Sequence, residues 1–257
     1  MKKILEIEPE KLLKIRLYLF FVGLSLSILM LIFKTDIQKN YPSLANYLIL
    51  LIIGFNVLGI SFALKVNQLG VNYLYQNINF DDYLKFHRAL SESNHSKIQF
   101  KIADAIVCFY KGNFLLAEEK INIIFTHQFL KKKDVIALKI YLFQTLCFKN
   151  SQKDSEKIIS LREELVRLAS RSKQYQNSLS YIFAVEDIIY HQKENSFFES
   201  YQPTTKLALL MSDFYKAKNY QLKNEMDKAK SIFEMLSNEN PELFIVQEAR
   251  KNLKNSH

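Results

Sequence analysis

The sequence predicts an all-α protein in which a two-helix transmembrane hairpin is followed by an α-helical solenoid. Three observations carry that expectation. Two uncharged apolar runs stand near the start, at residues 17–33 and 44–64. Beyond residue 71 there is a single glycine, Gly112, and only two prolines, Pro203 and Pro241. In that same stretch apolar residues recur at helical spacing, and no run alternates as a half-buried strand does.

The hairpin comes first. The run at 17–33, "LYLFFVGLSLSILMLIF", is at the short end of what crosses ~30 Å of hydrocarbon, and "LANYLILLIIGFNVLGISFAL" at 44–64 is comfortable. A cleaved signal peptide is the alternative for the first run, with Lys2 and Lys3 ahead of it and Ser43-Leu44-Ala45 behind. Lys34, Asp36 and Lys39 separate the run from that site, and a second span follows directly, which fits a hairpin better. Lys2, Lys3, Lys11, Lys14 and Arg16 precede the first span and Lys65 follows the second, against Lys34 and Lys39 between them. This bias sets both ends on the cytoplasmic side of the cell membrane. The expected organisation is a basic cytoplasmic N-terminus at 1–16, the hairpin at 17–64 with a short external turn around Tyr41 and Pro42, and a cytoplasmic helical domain at 65–257.

Within the spans, Asn56 is the strongly polar side chain near mid-membrane, where such a group turns toward a helix neighbour. Gly23 and Ser27 in one span and Gly59 and Ala63 in the other, each pair four apart, permit close approach. These five are the expected membrane helix-packing positions, whether the spans pack on each other, form a homo-oligomer or meet another membrane protein. Two spans without charged lining residues offer no ion pathway.

The net charge is +9, of which +6 is spread over residues 65–257. That excess suits a domain near anionic lipid and is too diffuse to predict nucleic acid as a partner. Cys108 and Cys147 stand in helical, apolar contexts without metal-ligand or redox spacing, as buried free thiols do.

The helical part is most legible at residues 111–125, "KGNFLLAEEKINIIF". Ile98, Ile102, Ala105 and Phe109 recur at helical spacing before Gly112, and Phe114, Ala117, Ile121 and Ile124 after it. Gly112 then ends one helix in a positive-φ conformation, and Asn113 is placed to cap the next. Ala105 and Ala117 allow the two helices to pack closely.

Gly112-Asn113-Phe114 with Ala105, Ala117, Ile121 and Ile124 resembles a tetratricopeptide repeat, a helix-turn-helix unit of about 34 residues. A second match is "DFYKAKNYQLKNEMDKAKSIFEMLSNENPELF", where Ala217, Tyr220, Ala229, Phe233 and Pro241 fall on the family's spacing and Asn224 replaces the inter-helix glycine. Between them, residues 137–165 keep the helical period and a polar turn at 150–154 without the small-residue signature. The matches cover about a third of the chain, and an irregular helical bundle would show the same periodicity. The polar stretch at 241–255, with Pro241 in a first helical turn, reads as the terminal cap that stacked repeats require.

No chemistry stands out. His87 and His95 are eight apart with Glu92 between them, and His127, His191 and His257 stand alone, so no pair has zinc spacing. Asp81 or Asp82 reads as a helix N-cap, and Glu118-Glu119 and Glu163-Glu164 as solvated helix faces. One glycine cannot build a phosphate loop, and no serine has a nucleophile elbow. The aromatics follow the apolar stripes as core residues do. The expectation is a non-enzymatic protein without cofactor or metal.

The resemblance implies a groove lined by the first helix of each pair, formed here by Gln99, Ala103, Ile106 and Tyr110, with Lys218 and Gln221 from the later repeat. It would bind a protein or peptide; the alternative for the same residues is packing against the helix at 82–93. The expected function is a membrane-anchored cytoplasmic adaptor, and the alternative is a small membrane accessory or immunity factor acting through its hairpin. Abundant Lys, Asn and Ile point to an AT-rich bacterial genome. Fold alone selects no pathway.

Overall fold

The computed structural model describes residues 9–40, 42–93, 97–126, 130–169 and 173–255. Lys2, Lys3, Tyr41, His95, His127 and His257 lie outside the described residues, as do the side chains of Lys34, Asp36 and residues 42–45. Among the described residues there are helices and no strands. The chain divides into two compact units, Met1–Lys97 and Ile98–His257.

The first unit holds α1 (Pro9–Asn40), α2 (Pro42–Tyr75) and α3 (Phe80–Ser93). α1 and α2 have 32 and 34 residues and so run about 48 and 51 Å, well beyond a hydrocarbon thickness. The expected loop around Lys34 and Lys39 is helical up to Asn40, and α2 continues eleven residues past the second apolar run. Both helices are long and apolar enough to cross a membrane. Their burial changes abruptly at the ends of the apolar runs. Between 17 and 64, large apolar side chains face outward, Leu31 at 73% exposure and Leu58 at 69%. Beyond those limits Leu12, Leu13, Val66 and Leu74 are covered, together with Tyr83 and Phe86 of α3. The protruding ends thus form a three-helix bundle with a conventional core.

Two local devices set the α2–α3 turn. Ile78 holds φ +53, a value a β-branched residue rarely adopts, and its side chain is buried. Asn79 caps α3: its Oδ1 accepts the Asp82 N–H at 3.0 Å while its Nδ2 donates to Asp82 Oδ2 at 2.8 Å. The cap expected at Asp81 or Asp82 is therefore Asn79, with Asp82 as its reciprocal partner. Gly70 sits where α3 comes closest, since a Cβ there would meet the Phe86 ring at 2.2 Å.

The second unit contains α4 (Ile98–Tyr110), α5 (Phe114–Phe125), α6 (Lys132–Lys149), α7 (Ser155–Ala169), α8 (Lys173–Val185), α9 (Phe197–Ser200), α10 (Lys206–Leu222), α11 (Met226–Ser237) and α12 (Phe244–Asn255). α4 ends in a Schellman turn: the Gly112 N–H reaches Phe109 O at 3.0 Å and the Asn113 N–H reaches Cys108 O at 2.9 Å, with Gly112 at φ +79. α10 ends the same way, through Asn224 at φ +60 and the Glu225 N–H on Tyr220 O at 2.8 Å. Asn113 does not cap with its side chain; its carbonyl accepts from Ala117, as Glu225 does from Ala229.

Ala105, Ile121, Ile124 and Leu138 form one core cluster, and Phe143, Leu146, Cys147, Ile158, Leu161 and Ile182 another. A third is aromatic. Phe244, at the start of α12, lies 5.9 Å from Phe109, 5.2 Å from Phe114, 4.8 Å from Phe148 and 5.9 Å from Phe214 between ring centroids. The last helix therefore returns onto the first helix pair of its unit. Pro241 lies in the turn before α12 rather than in its first helical turn, and the face of α12 carrying Phe244, Ile245, Val246 and Ala249 is buried. Only the opposite face is polar, as on the expected cap.

Candidate functional site

The turn at Gly112 and the first turn of α5 face the end of α6 and the start of α7 across an open crevice of about 1070 Å³. Its lining combines Phe114, Leu115 and Leu116 with Lys149, Lys153 and Lys157. Leu115 is 75% exposed, unusual for leucine on a helix with a well-buried opposite stripe. The stripe Ala117, Ile121 and Ile124 faces the core and leaves Leu115 and Leu116 outside it.

An ion-pair network fixes the crevice wall. Lys149 bonds Glu118 on α5 and lies 2.9 Å from Asp154, while Lys157 lies 3.5 Å from Glu118 and 3.4 Å from Asp154. Glu118, expected as a solvated helix residue, is instead largely covered and ties α5 to α6 and α7. The Lys149 ammonium draws the Asp154 carboxyl below its ordinary value. Lys153 and Lys157 remain exposed beside the leucines. The crevice thus sets an apolar pair beside exposed ammonium groups.

The residues expected to line a groove lie elsewhere. Ala103, Ile106 and Tyr110 are buried, and Gln99 is half-buried. Tyr110 Oη is 3.1 Å from Tyr141 Oη, inside the unit. Lys218 and Gln221 turn toward α12: burial pulls the Lys218 pKa down with Glu248 opposing, and Gln221 Nε2 donates to Asn252 Oδ1 at 2.9 Å. These six do not form an open surface. The signal that could have located the crevice was the apolar pair Leu115-Leu116 off the helical stripe; its lysines come from separate elements, so spacing gave no hint of them.

The hairpin positions do come together. Asn56 Nδ2 donates to Ser27 Oγ at 3.3 Å and to Ile52 O at 2.9 Å, and Ser27 Oγ donates to Gly23 O at 2.8 Å. Gly23 makes room, since a Cβ there would stand 2.8 Å from Asn56 Oδ1. Gly59 and Ala63 line a separate crevice of about 350 Å³ on the hairpin, which also reaches Asn56 and Arg16.

Two titratable groups have unusual settings. His87 packs edge-on against Tyr83 and Phe86, its Nδ1 has no hydrogen-bond partner among the described residues, and burial holds its pKa at about 4. Glu186 begins a π-helical turn, Glu186–Tyr190, and is buried with Arg162 at 3.5 Å and His191 at 3.4 Å. Cys108 and Cys147 are buried free thiols, each raised in pKa chiefly by burial. Among the described residues no three His, Cys, Asp or Glu side chains group as a metal site.

Compared with protein-family models, with curated proteins and with solved structures, the chain matches none.

Proposed function

We propose that the protein is a membrane-anchored adaptor, held by α1 and α2 and presenting its second helical unit to a protein or peptide. The observation that carries this reading is the exposed apolar band on α1 and α2, bounded at both helices' outer ends by buried apolar residues. A leucine face of that size is unfavourable in water and favourable in lipid. Tyr18 and Tyr47, exposed near opposite ends of the band, suit the two membrane interfaces. The basic bias then places the N-terminus and the second unit on the cytoplasmic side.

The matching Schellman turns at Gly112 and Asn224 support a divergent repeat-like origin for the two hairpins. The docking face in this reading is the Leu115 crevice, and its occupant is a segment with adjacent apolar and acidic side chains. A photoreactive side chain at Leu115, with one at exposed Lys251 as control, tests it in native membranes. The expected result is a discrete protein crosslinked from Leu115 alone and lost on Lys153→Glu with Lys157→Glu. Equal capture from both positions, or release of the chain by alkaline washing, overturns it.

A further inference from the structure

The crevice on the hairpin has a polar mouth and an apolar interior. It is lined by Arg16, Leu19, Phe20, Gly59, Ile60 and Ala63, among others, with a volume of about 350 Å³. Arg16 is the last charge before the first apolar run, and Lys65 is the first after the second. The antiparallel hairpin brings these levels together, and Arg16 Nη1 donates to Asn67 Oδ1 at 3.0 Å. That bond fixes the guanidinium at the edge of the exposed apolar band, and among the described residues its other N–H groups are left to bind an anion. From Ala63 the lining extends to Asn56, two helical turns or about 10 Å deeper along α2.

The interior is mainly apolar. Asn56, its one amide, already commits its Nδ2 to Ser27 Oγ and Ile52 O, leaving only the Oδ1 acceptor. The space over Gly59 is open, since a Cβ there would come no nearer than 4.0 Å to Leu19 Cβ. The mouth asks for an anion. Residues 17–33 and 44–64 contain no acidic side chain, so the apolar runs themselves offer Arg16 no carboxylate.

We propose that this crevice seats one anionic phospholipid, with its phosphate on Arg16 and an acyl chain along Leu19, Phe20 and Ile60 over Gly59 and Ala63. The seat rests on the membrane-anchored reading. Its selectivity lies in the headgroup, because a guanidinium pairs with a phosphate most strongly when no ammonium on the same lipid competes.

The test is native mass spectrometry of the full chain in mild detergent with equal amounts of phosphatidylglycerol and phosphatidylcholine of identical acyl chains. One phosphatidylglycerol should be retained roughly fivefold over phosphatidylcholine, as for one basic group at a membrane surface. Arg16→Gln should abolish the preference and Arg16→Lys should keep most of it. Ala63→Phe should expel both lipids, while Leu31→Phe, away from the crevice, should change neither. Equal retention by the unaltered chain, a preference that survives Arg16→Gln, or a two-copy species that excludes lipid overturns the seat. Alkaline washing of membranes separates the two readings: a released chain defeats the anchor, whereas a retained chain without lipid preference defeats only the seat.

Discussion

Gly112 and Phe244 are 132 positions apart, yet a Cβ on Gly112 would stand 2.8 Å from Phe244 Cβ. The glycine meets two demands at once. Its φ of +79 closes the Schellman turn of α4, and its missing side chain admits the ring that draws α12 onto Phe109, Phe114 and Phe148. The salt bridge from Lys111 to Glu242, at 2.5 Å, spans the same junction.

Gly112→Asn therefore separates the two demands, because asparagine tolerates positive φ but brings the Cβ. The expected loss is roughly 2 kcal/mol, combining residual strain with displacement of Phe244. Asn224→Gly, at a turn with the same geometry, should change stability by about 0.5 kcal/mol or less. Thermal unfolding of the full chain followed by circular dichroism compares them; equal effects would remove Phe244 from the account.

At Gly70 the contact is between α2 and α3. Gly70→Ala puts a Cβ about 2 Å from the Phe86 ring and should destabilise by roughly 1–3 kcal/mol. Phe86→Leu in the same chain should recover part of that loss, a coupling read by a double-mutant cycle. Additive effects would mean that α3 shifts away from Gly70 without strain.

His87 gives the pH dependence a sign. Burial lowers its pKa from 6.5 to about 4, so between those values the unfolded chain binds the proton more readily. The stability from packing the neutral ring is whole above pH 6.5 and is lost as pH falls through about 4, up to roughly 3 kcal/mol. His87→Phe should flatten this window. Asp154, held below 3.8 by Lys149, adds its own loss only beneath that value. With no tryptophan in the chain, near-ultraviolet tyrosine signals follow the transition.

Sidedness is open to a labelling test. Cys108 and Cys147 are buried and should react slowly with an impermeant maleimide. Lys39→Cys should label from outside intact cells and Leu115→Cys only after the cells are opened. The reverse pattern would invert the orientation.

Features that depend on neighbours along the chain are legible in the residues alone. Two helices long and apolar enough to cross a membrane follow from uninterrupted apolar length, and the turns between helices follow from Gly112 and from Asn224, whose short side chain accepts positive φ. The core stripe Ala117, Ile121 and Ile124 follows from helical period. Even the small pairing group between the two apolar helices was legible, because Gly23, Ser27 and Asn56 have little else to do in an apolar run. Which apolar faces meet is settled by packing across the fold. Periodicity marks Ala103, Ile106 and Tyr110 as one stripe but does not say whether that stripe is covered, and in the fold all three are. Nor does it say that Glu118 will find Lys149 and Lys157, or that Phe244 will come back to Gly112. Those outcomes depend on packing between elements far apart in the chain, where shape and charge on both partners choose the match and neither is written in the local pattern.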